Sequence, residues 1–261
     1  MLLFAAAVRG AVGSHPADRA ATHCGPTAAR SPPIGPVQSP LVSSLVLPGP
    51  YRAVLFDMDG LLLDSEPLWA EAEAELLARH GGRLTAEDRA ATHGRALADS
   101  VRLYAARLPG TTPAGLEAEL LALMRARYLA GAPLHRGAAD LVRALVGRVR
   151  LGVATSTTTP LVEVALRSVG LLDAFEIVSS GADLGRGKPD PAAFLEGCRR
   201  LGTDPAEAVA FEDSPVGVMA AHAAGMFVVG VPDRPGVEGR LVEAGADLLV
   251  NSLADVVVEG A

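Results

Sequence analysis

Short apolar runs bounded by turn residues alternate with helical patterns along most of this 261-residue chain, and this alternation limits the fold more than any other feature. The runs are residues 53–56, 149–154, 175–178, 208–211, 227–231 and 247–250. The helical patterns are at about 137–147, 159–169, 191–201, 215–224, 236–244 and 252–258. Such alternation predicts an α/β fold with a doubly wound, Rossmann-like parallel sheet, which binds ligands at the carboxyl ends of its strands.

The segment between the first two runs is too long for an ordinary crossover. It has no strand pattern, and its helical patterns are near 66–80, 86–91, 96–107 and 113–130. We therefore predict an inserted helical cap over residues 66–135 and a Rossmann-like core formed by residues 51–65 and 136–261. The cap would overhang the sheet edge where a ligand binds.

Residues 1–50 differ from the rest of the chain. They contain many prolines, alanines and serines without a sustained period of 2 or 3.6, which predicts a disordered N-terminal extension. A secretory signal peptide and a true translation start farther downstream are the alternatives for this segment.

Composition excludes several classes of protein. No stretch approaches 18 uninterrupted apolar residues, and two cysteines cannot form a disulfide framework. The net charge of −7 argues against broad contact with nucleic acid or with an anionic membrane. We expect a cytoplasmic monomer that binds neither nucleic acid nor a membrane.

The first apolar run ends in Asp57-Met58-Asp59-Gly60. Two carboxylates at positions i and i+2 of an extended chain project to the same side, so Asp57 and Asp59 would face one ligand. Gly60 would let the backbone turn sharply there. Alone, this string also suits an ordinary acidic turn.

Polar residues follow the second run in the same way. Ser156 and Thr157 lie at its end, directly before a helical pattern with Pro160 in its first turn. Hydroxyls and free amides at a helix N-terminus bind phosphate, although a hydroxyl in this stretch also suits a helix cap.

Lys188 is the only lysine among 23 basic residues, and it lies in the loop Gly187-Lys188-Pro189-Asp190-Pro191. A single lysine in an arginine-rich chain indicates a site that needs a compact point charge rather than a planar guanidinium. Asp190 in the same loop is predicted to cap the following helix.

Glu212 and Asp213 end the run at 208–211. They would therefore meet Asp57 and Asp59 at one sheet edge. Two like charges 4 Å apart repel by about 4 kcal/mol at an effective dielectric of about 20, so four carboxylates there need a cation. Oxygen-only ligands favour a hard ion, with Mg²⁺ the first choice.

Together these motifs resemble those of the haloacid dehalogenase superfamily, in the branch that contains β-phosphoglucomutase and the sugar- and polyol-phosphate phosphatases. The resemblance covers about residues 51–250 and rests on four ordered strings at four predicted strand ends. The strings are Phe56-Asp57-Met58-Asp59-Gly60-Leu61 with Asp64-Ser65-Glu66-Pro67-Leu68-Trp69, then Thr155-Ser156, then Gly187-Lys188-Pro189-Asp190-Pro191, then Phe211-Glu212-Asp213-Ser214.

The resemblance implies roles for these residues. Asp57 would be the nucleophile that forms an aspartyl-phosphate, and Asp59 would be the general acid and then the general base. Asp57, the backbone carbonyl of Asp59 and Asp213 would bind Mg²⁺, with Glu212 supporting the metal directly or through water.

The resemblance also implies a substrate site. Ser156 and Lys188 would hold the phosphoryl oxygens, and Thr157 beside Ser156 joins the substrate-binding candidates. Trp69 and Arg95, both in the predicted cap, would lie near the rest of the substrate, although a surface position suits Arg95 equally well.

We therefore expect a Mg²⁺-dependent phosphatase whose partner is a small phosphorylated metabolite, namely a sugar or polyol phosphate. Asp59 argues against a dehalogenase, since dehalogenases lack this second aspartate. A mutase of the β-phosphoglucomutase type is the alternative, but this chain has Trp69 and Leu97 where the mutase has a histidine and an arginine. A regulator without catalytic activity is the third possibility, although no motif residue is missing.

Overall fold

The computed structural model describes residues 45–47, 51–92 and 97–259. Its strands are β1 Leu45–Leu47, β2 Ala53–Phe56, β3 Arg150–Thr155, β4 Ile177–Ser180, β5 Ala208–Glu212, β6 Phe227–Gly230, β7 Leu248–Leu249 and β8 Val256–Val258. Strands β2 to β7 form one parallel sheet in the order β4-β3-β2-β5-β6-β7. This arrangement confirms the predicted α/β fold class.

The helices are α1 Glu66–Arg79, α2 Ala86–Thr92, α3 Leu97–Ala105, α4 Pro113–Ala130, α5 Ala138–Leu145, α6 Thr159–Ser168, α7 Ala192–Leu201, α8 Pro215–Ala223 and α9 Glu238–Glu243. Strand β2 shows why the sheet must be covered on both faces. All of its residues are buried, and alternate side chains point to opposite faces. Val54 and Phe56 belong to one hydrophobic core, whereas Ala53 and Leu55 belong to the other.

Helices α1 to α4 lie between β2 and β3 in the chain, and the described part of this segment contains no strand. Helix α4 packs against α1 and α3 through buried apolar residues such as Leu76 and Leu120. Helix α4 also contacts α6, so the helical segment rests on the α/β core. Residues 93–96, between α2 and α3, lie outside the described residues.

Two predictions for the chain ends were wrong. The predicted helix at 252–258 is a short 3-10 turn, Leu253–Asp255, followed by strand β8. Three consecutive valines favour a strand, and Leu45–Leu47, from the segment expected to be disordered, pairs with them in parallel. Local periodicity could not reveal this distant partner. The rest of residues 1–50 lies outside the described residues.

Strand β4 begins two residues later than the apolar run suggests, because Phe175 ends a 3-10 turn and packs with its ring edge on Phe56. Among the described residues, none of the helices combines the length and the hydropathy that a membrane span requires.

Candidate active site

Three strands deliver candidate residues to one edge of the sheet. Asp57 follows β2, Ser156 follows β3, and Glu212 ends β5 directly before Asp213. The Asp57 amide donates to the Phe211 carbonyl at 3.0 Å, which ties the end of β2 to the end of β5. The parallel register therefore brings together residues that are far apart in the sequence.

Three carboxylates form a cluster at this edge. One oxygen from each of Asp57, Glu212 and Asp213 lies within 4.8 Å of the others. All three residues are buried, with exposed fractions of 6%, 0% and 5%. The sequence predicted four converging carboxylates, but the side chain of Asp59 is not part of this cluster.

Lys188 provides the positive charge of the cluster. Its ammonium donates to Asp57 Oδ1 at 2.6 Å and makes a second short contact with Glu212 Oε1. The Phe194 ring lies below the ammonium, 5.3 Å from it to the ring centroid. The sole lysine therefore bridges two buried carboxylates.

The charges of the cluster do not balance, because three carboxylates face one ammonium. Burial raises the pKa of Asp57, which Lys188 opposes, and burial raises the pKa of Glu212 to about 7. Burial followed by the charges of Asp57 and Glu212 raises the pKa of Asp213 well above its usual range. Burial lowers the pKa of Lys188, but the adjacent carboxylates more than offset this effect and raise it.

Asp213 indicates how the imbalance is resolved. Its Oδ1 is buried and has no hydrogen-bond partner among the described residues. An unpaired buried carboxylate oxygen is costly unless it binds a cation. The oxygens of Asp57, Glu212 and Asp213 therefore fit a hard divalent ion.

Two glycines make room for these carboxylates. Gly60 has φ +86°, and a Cβ there would lie 2.3 Å from Asp213 Oδ2. A Cβ on Gly217 would lie 2.0–2.2 Å from the carboxylate of Glu212. A side chain at either position would displace a carboxylate of the cluster.

The carboxylate of Asp59 is held by four donors. Ser65 Oγ, Trp69 Nε1 and Tyr128 OH donate to its Oδ1 at 2.7, 3.1 and 2.7 Å. Thr157 Oγ1 donates to Oδ2 at 2.8 Å. Burial, and then the charge of Asp59, raise the pKa of Tyr128 well above its usual range, so its phenol stays protonated as a donor. Asp59 thus joins both α1 and α4 to the loop after β3.

Three of the other four predicted site residues line one cavity. Ser156 lines the cavity described below. Thr157 and Trp69 also line it, and both contact Asp59. Arg95 lies outside the described residues.

A cavity of about 960 Å³ connects the carboxylate cluster to the helical segment. Asp57, Lys188 and Asp213 line it on the sheet side, and Trp69 and Glu73 line it on the side of α1. A carboxylate beside an ammonium, facing a cavity of this size, can attack the phosphorus of a small phosphate ester. The polar groups of the loop after β3 can hold the phosphoryl oxygens.

Sequence reasoning missed Tyr128, Ser65 and Glu73. Ser65 stands in one of the quoted motif strings, but nothing in that string predicts its bond to Asp59. Tyr128 lies 69 residues from Asp59, on helix α4, and no sequence pattern links the two positions. Its role depends on how α4 packs against α1, which local periodicity does not encode.

The chain is similar to known hydrolases over most of its length. A family model described as haloacid dehalogenase-like hydrolase matches residues 51–225, which include the helical segment. Validoxylamine A 7'-phosphate phosphatase of Streptomyces hygroscopicus subsp. limoneus is 34% identical over 207 residues, or 79% of this chain and 96% of the relative. Hexitol phosphatase B of Escherichia coli is 32% identical over 213 residues, or 80% of this chain and 96% of the relative.

A solved structure shows the same arrangement of elements. It is that of a mutant of CbbY from Rhodobacter sphaeroides in complex with xylulose-(1,5)bisphosphate. The TM-score is 0.72 at 27% sequence identity, and the match covers 80% of this chain and 97% of that one.

Proposed function

Since the chain belongs to the haloacid dehalogenase-like hydrolases, as its four motifs predict, we propose that it is a Mg²⁺-dependent phosphatase of small sugar or polyol phosphate monoesters. The family and the named phosphatase relatives support a phosphoric monoester hydrolase. The hexitol and validoxylamine phosphatases support the substrate class. The observation that carries the proposal is the buried Asp57 carboxylate beside Lys188 at the base of the cavity.

In the proposed reaction, Asp57 attacks the phosphorus of the ester. A bond forms between the Asp57 carboxylate and phosphorus while the bond from phosphorus to the sugar oxygen breaks. Asp59 in its protonated form gives a proton to the departing oxygen and becomes a carboxylate, which then takes a proton from the water that hydrolyses the aspartyl-phosphate. The products are inorganic phosphate and the free alcohol, and Asp57 is regenerated.

Asp57, Glu212 and Asp213, with the backbone carbonyl of Asp59, would hold the Mg²⁺ ion. When bound, the ion supplies positive charge that offsets the charge of the carboxylates and of the phosphoryl group. The unpaired Asp213 Oδ1 and the excess of carboxylates over ammonium groups support this assignment.

Lys188 and Ser156 would bind the phosphoryl oxygens from the sheet side. Lys188 is held against Asp57, so its charge lies next to the attacking oxygen. A preorganised point charge in a buried site stabilises the charge that develops during transfer without reorganising at that moment. Thr157 beside Ser156 orients Asp59 through its hydroxyl and can also reach the substrate.

Helices α1 to α4 would act as the cap of the site, with residues 66–135 as its proposed bounds. Trp69 and Tyr128 carry this role, because each donates from a cap helix to Asp59. A cap that covers the cavity excludes bulk water from the transfer step. We further propose that the enzyme acts as a monomer, since one chain supplies all the site residues that the structure describes. Its proposed location is the cytoplasm.

The residue at position 69 argues against the mutase alternative. The indole of Trp69 stands where the mutase has a histidine, and its N–H is already bonded to Asp59. The two sequence relatives described above are phosphatases, and a similar fold alone does not distinguish a mutase from a phosphatase.

A phosphate-release assay tests the proposal. The purified chain is incubated with hexitol phosphates, sugar phosphates and glycerol 3-phosphate, with Mg²⁺ or with EDTA. We expect release with Mg²⁺ and none with EDTA. Absence of release from every substrate with Mg²⁺ would refute the phosphatase, and interconversion of glucose 1- and 6-phosphates faster than hydrolysis would favour the mutase.

A further inference from the structure

One face of helix α1 leads away from the reacting groups along the cavity. Glu66, Trp69, Ala70 and Glu73 all line the cavity, and their spacing of three and four residues places them on the same side of the helix. Trp69 contacts Asp59 directly. Glu73 lies one turn farther on, about 6 Å along the helix axis from Trp69.

Two arginines that line this cavity are each paired with a nearby aspartate. Arg102 is paired with Asp99 at 2.9 Å, and Arg234 is paired with Asp233 at 2.8 Å. Within the described ranges, Glu73 makes no ion pair. Tyr104 lies beside its carboxyl, but a carboxyl has two oxygens, so a ligand in the cavity can also bind there.

The surroundings of Glu73 suit a neutral polar ligand. Burial, with a smaller contribution from the charges of Glu66 and Asp88, raises its pKa to about 7, although Tyr104 and Arg89 oppose the rise. The carboxyl therefore exists in both protonation states near neutral pH and can donate or accept a hydrogen bond. In its ionised form the Glu73 carboxylate would itself repel an anionic group placed against it.

We propose that Glu73 is a specificity-determining residue that binds hydroxyl groups at the end of the substrate away from the phosphate. This inference rests on the proposed phosphatase function and refines its substrate class. The preferred substrates are polyol or sugar phosphates long enough to span the turn from Trp69 to Glu73, with a neutral, hydroxylated far end. A three-carbon ester is too short to reach Glu73, and a substrate with an anionic far end is disfavoured there.

Steady-state kinetics of Glu73→Gln and Glu73→Ala test the proposal with three substrates. Sorbitol 6-phosphate is long and neutral at its far end, 6-phosphogluconate has the same length with a carboxylate there, and glycerol 3-phosphate is short. Glu71→Ala is the matched control, since Glu71 lies on the same helix and its side chain is 69% exposed.

For Glu73→Ala we expect kcat/KM on sorbitol 6-phosphate to fall by about tenfold to a hundredfold, while the value for glycerol 3-phosphate stays within about twofold of wild type. For Glu73→Gln we expect a smaller fall in kcat/KM on sorbitol 6-phosphate. The ratio of kcat/KM on sorbitol 6-phosphate to kcat/KM on 6-phosphogluconate should also be smaller than in wild type. Glu71→Ala should leave all three values unchanged.

An equal loss on the long and the short substrate would overturn the proposal, and so would wild-type selectivity in both Glu73 variants. Thermal melting of each variant identifies a folding defect. If Glu73→Ala has one, the proposal is judged on Glu73→Gln, from the ratio of its kcat/KM on sorbitol 6-phosphate to its kcat/KM on glycerol 3-phosphate. Failure of the phosphatase function itself is distinct, since the wild-type chain would then release no phosphate from any of these esters.

Discussion

Replacing Lys188 with methionine tests how the carboxylate cluster is held together. Methionine keeps an unbranched chain over Phe194 but removes the ammonium that bridges Asp57 and Glu212. Glu212 is completely buried, so water cannot replace its lost partner. Removing one partner of a buried ion pair costs about 3–5 kcal/mol, because the other charge is left uncompensated.

The loss should depend on pH. In the folded protein burial raises the pKa of Asp57 and raises the pKa of Glu212 to about 7, so the folded state binds more protons than the unfolded state below that pH. Stability therefore falls as the pH rises through about 7. Lys188 lowers both pKa values, and its removal makes this fall steeper. We expect the full loss of about 3–5 kcal/mol at pH 8 and a smaller one at pH 6.

Urea denaturation in EDTA at pH 6 and pH 8 measures these free energies of unfolding. Lys188→Met, Glu212→Gln and the double variant form a cycle in which the double variant should lose less than the sum, by about 0.5–3 kcal/mol. Arg186→Met is the control, since Arg186 lies in the same loop and its pair with Asp190 is exposed. That variant should change stability by less than about 1 kcal/mol.

A loss below about 1 kcal/mol for Lys188→Met at pH 8 would show that the ammonium does not offset the carboxylates. If the loss in the double variant equalled the sum of the two single losses, Lys188 and Glu212 would not stabilise each other. A larger loss at pH 6 than at pH 8 would contradict the direction of the pKa shifts.

Three further changes test separate parts of the site. Asp57→Asn should abolish phosphate release while the melting curve in EDTA stays cooperative; measurable turnover would exclude Asp57 as the nucleophile. Tyr128→Phe should lower the free energy of unfolding in urea by about 1.5–3 kcal/mol, because a donor to a carboxylate is lost. The same change should have no effect in a chain that already carries Asp59→Ala. A loss that persists there would mean that the hydroxyl acts elsewhere. Gly60→Ala should weaken Mg²⁺ binding in calorimetry, since the added methyl would meet a carboxylate oxygen 2.3 Å away. Gly81→Ala, also at positive φ but in open space, should leave the affinity unchanged, and equal effects would point to backbone strain instead.

Periodicity and turn chemistry carried most of the fold prediction. The central strands were predicted to within one or two residues, because buried parallel strands are short apolar runs with few alternatives. The prediction failed at strand β8, where Val256–Val258 follow a pattern that also suits a helix. Its partner, Leu45–Leu47, lies some two hundred residues earlier in a proline-rich segment.

The sequence by itself determined that Asp57, Ser156 and Asp213 share one edge, because parallel strands of a single sheet all end there. It also singled out Lys188, through the contrast between one lysine and 22 arginines. Both conclusions follow from local pattern and composition, which do not depend on how the side chains pack.

Only the tertiary structure decided which side chains touch. In the structure the Asp59 carboxylate lies outside the cluster of Asp57, Glu212 and Asp213. It accepts a hydrogen bond from Tyr128, 69 residues away in the sequence. The tertiary structure also placed Glu73 along the cavity without an ion-pair partner among the described residues. These contacts depend on how helices from distant segments pack against one another, and a one-dimensional pattern does not record the distance between two helices.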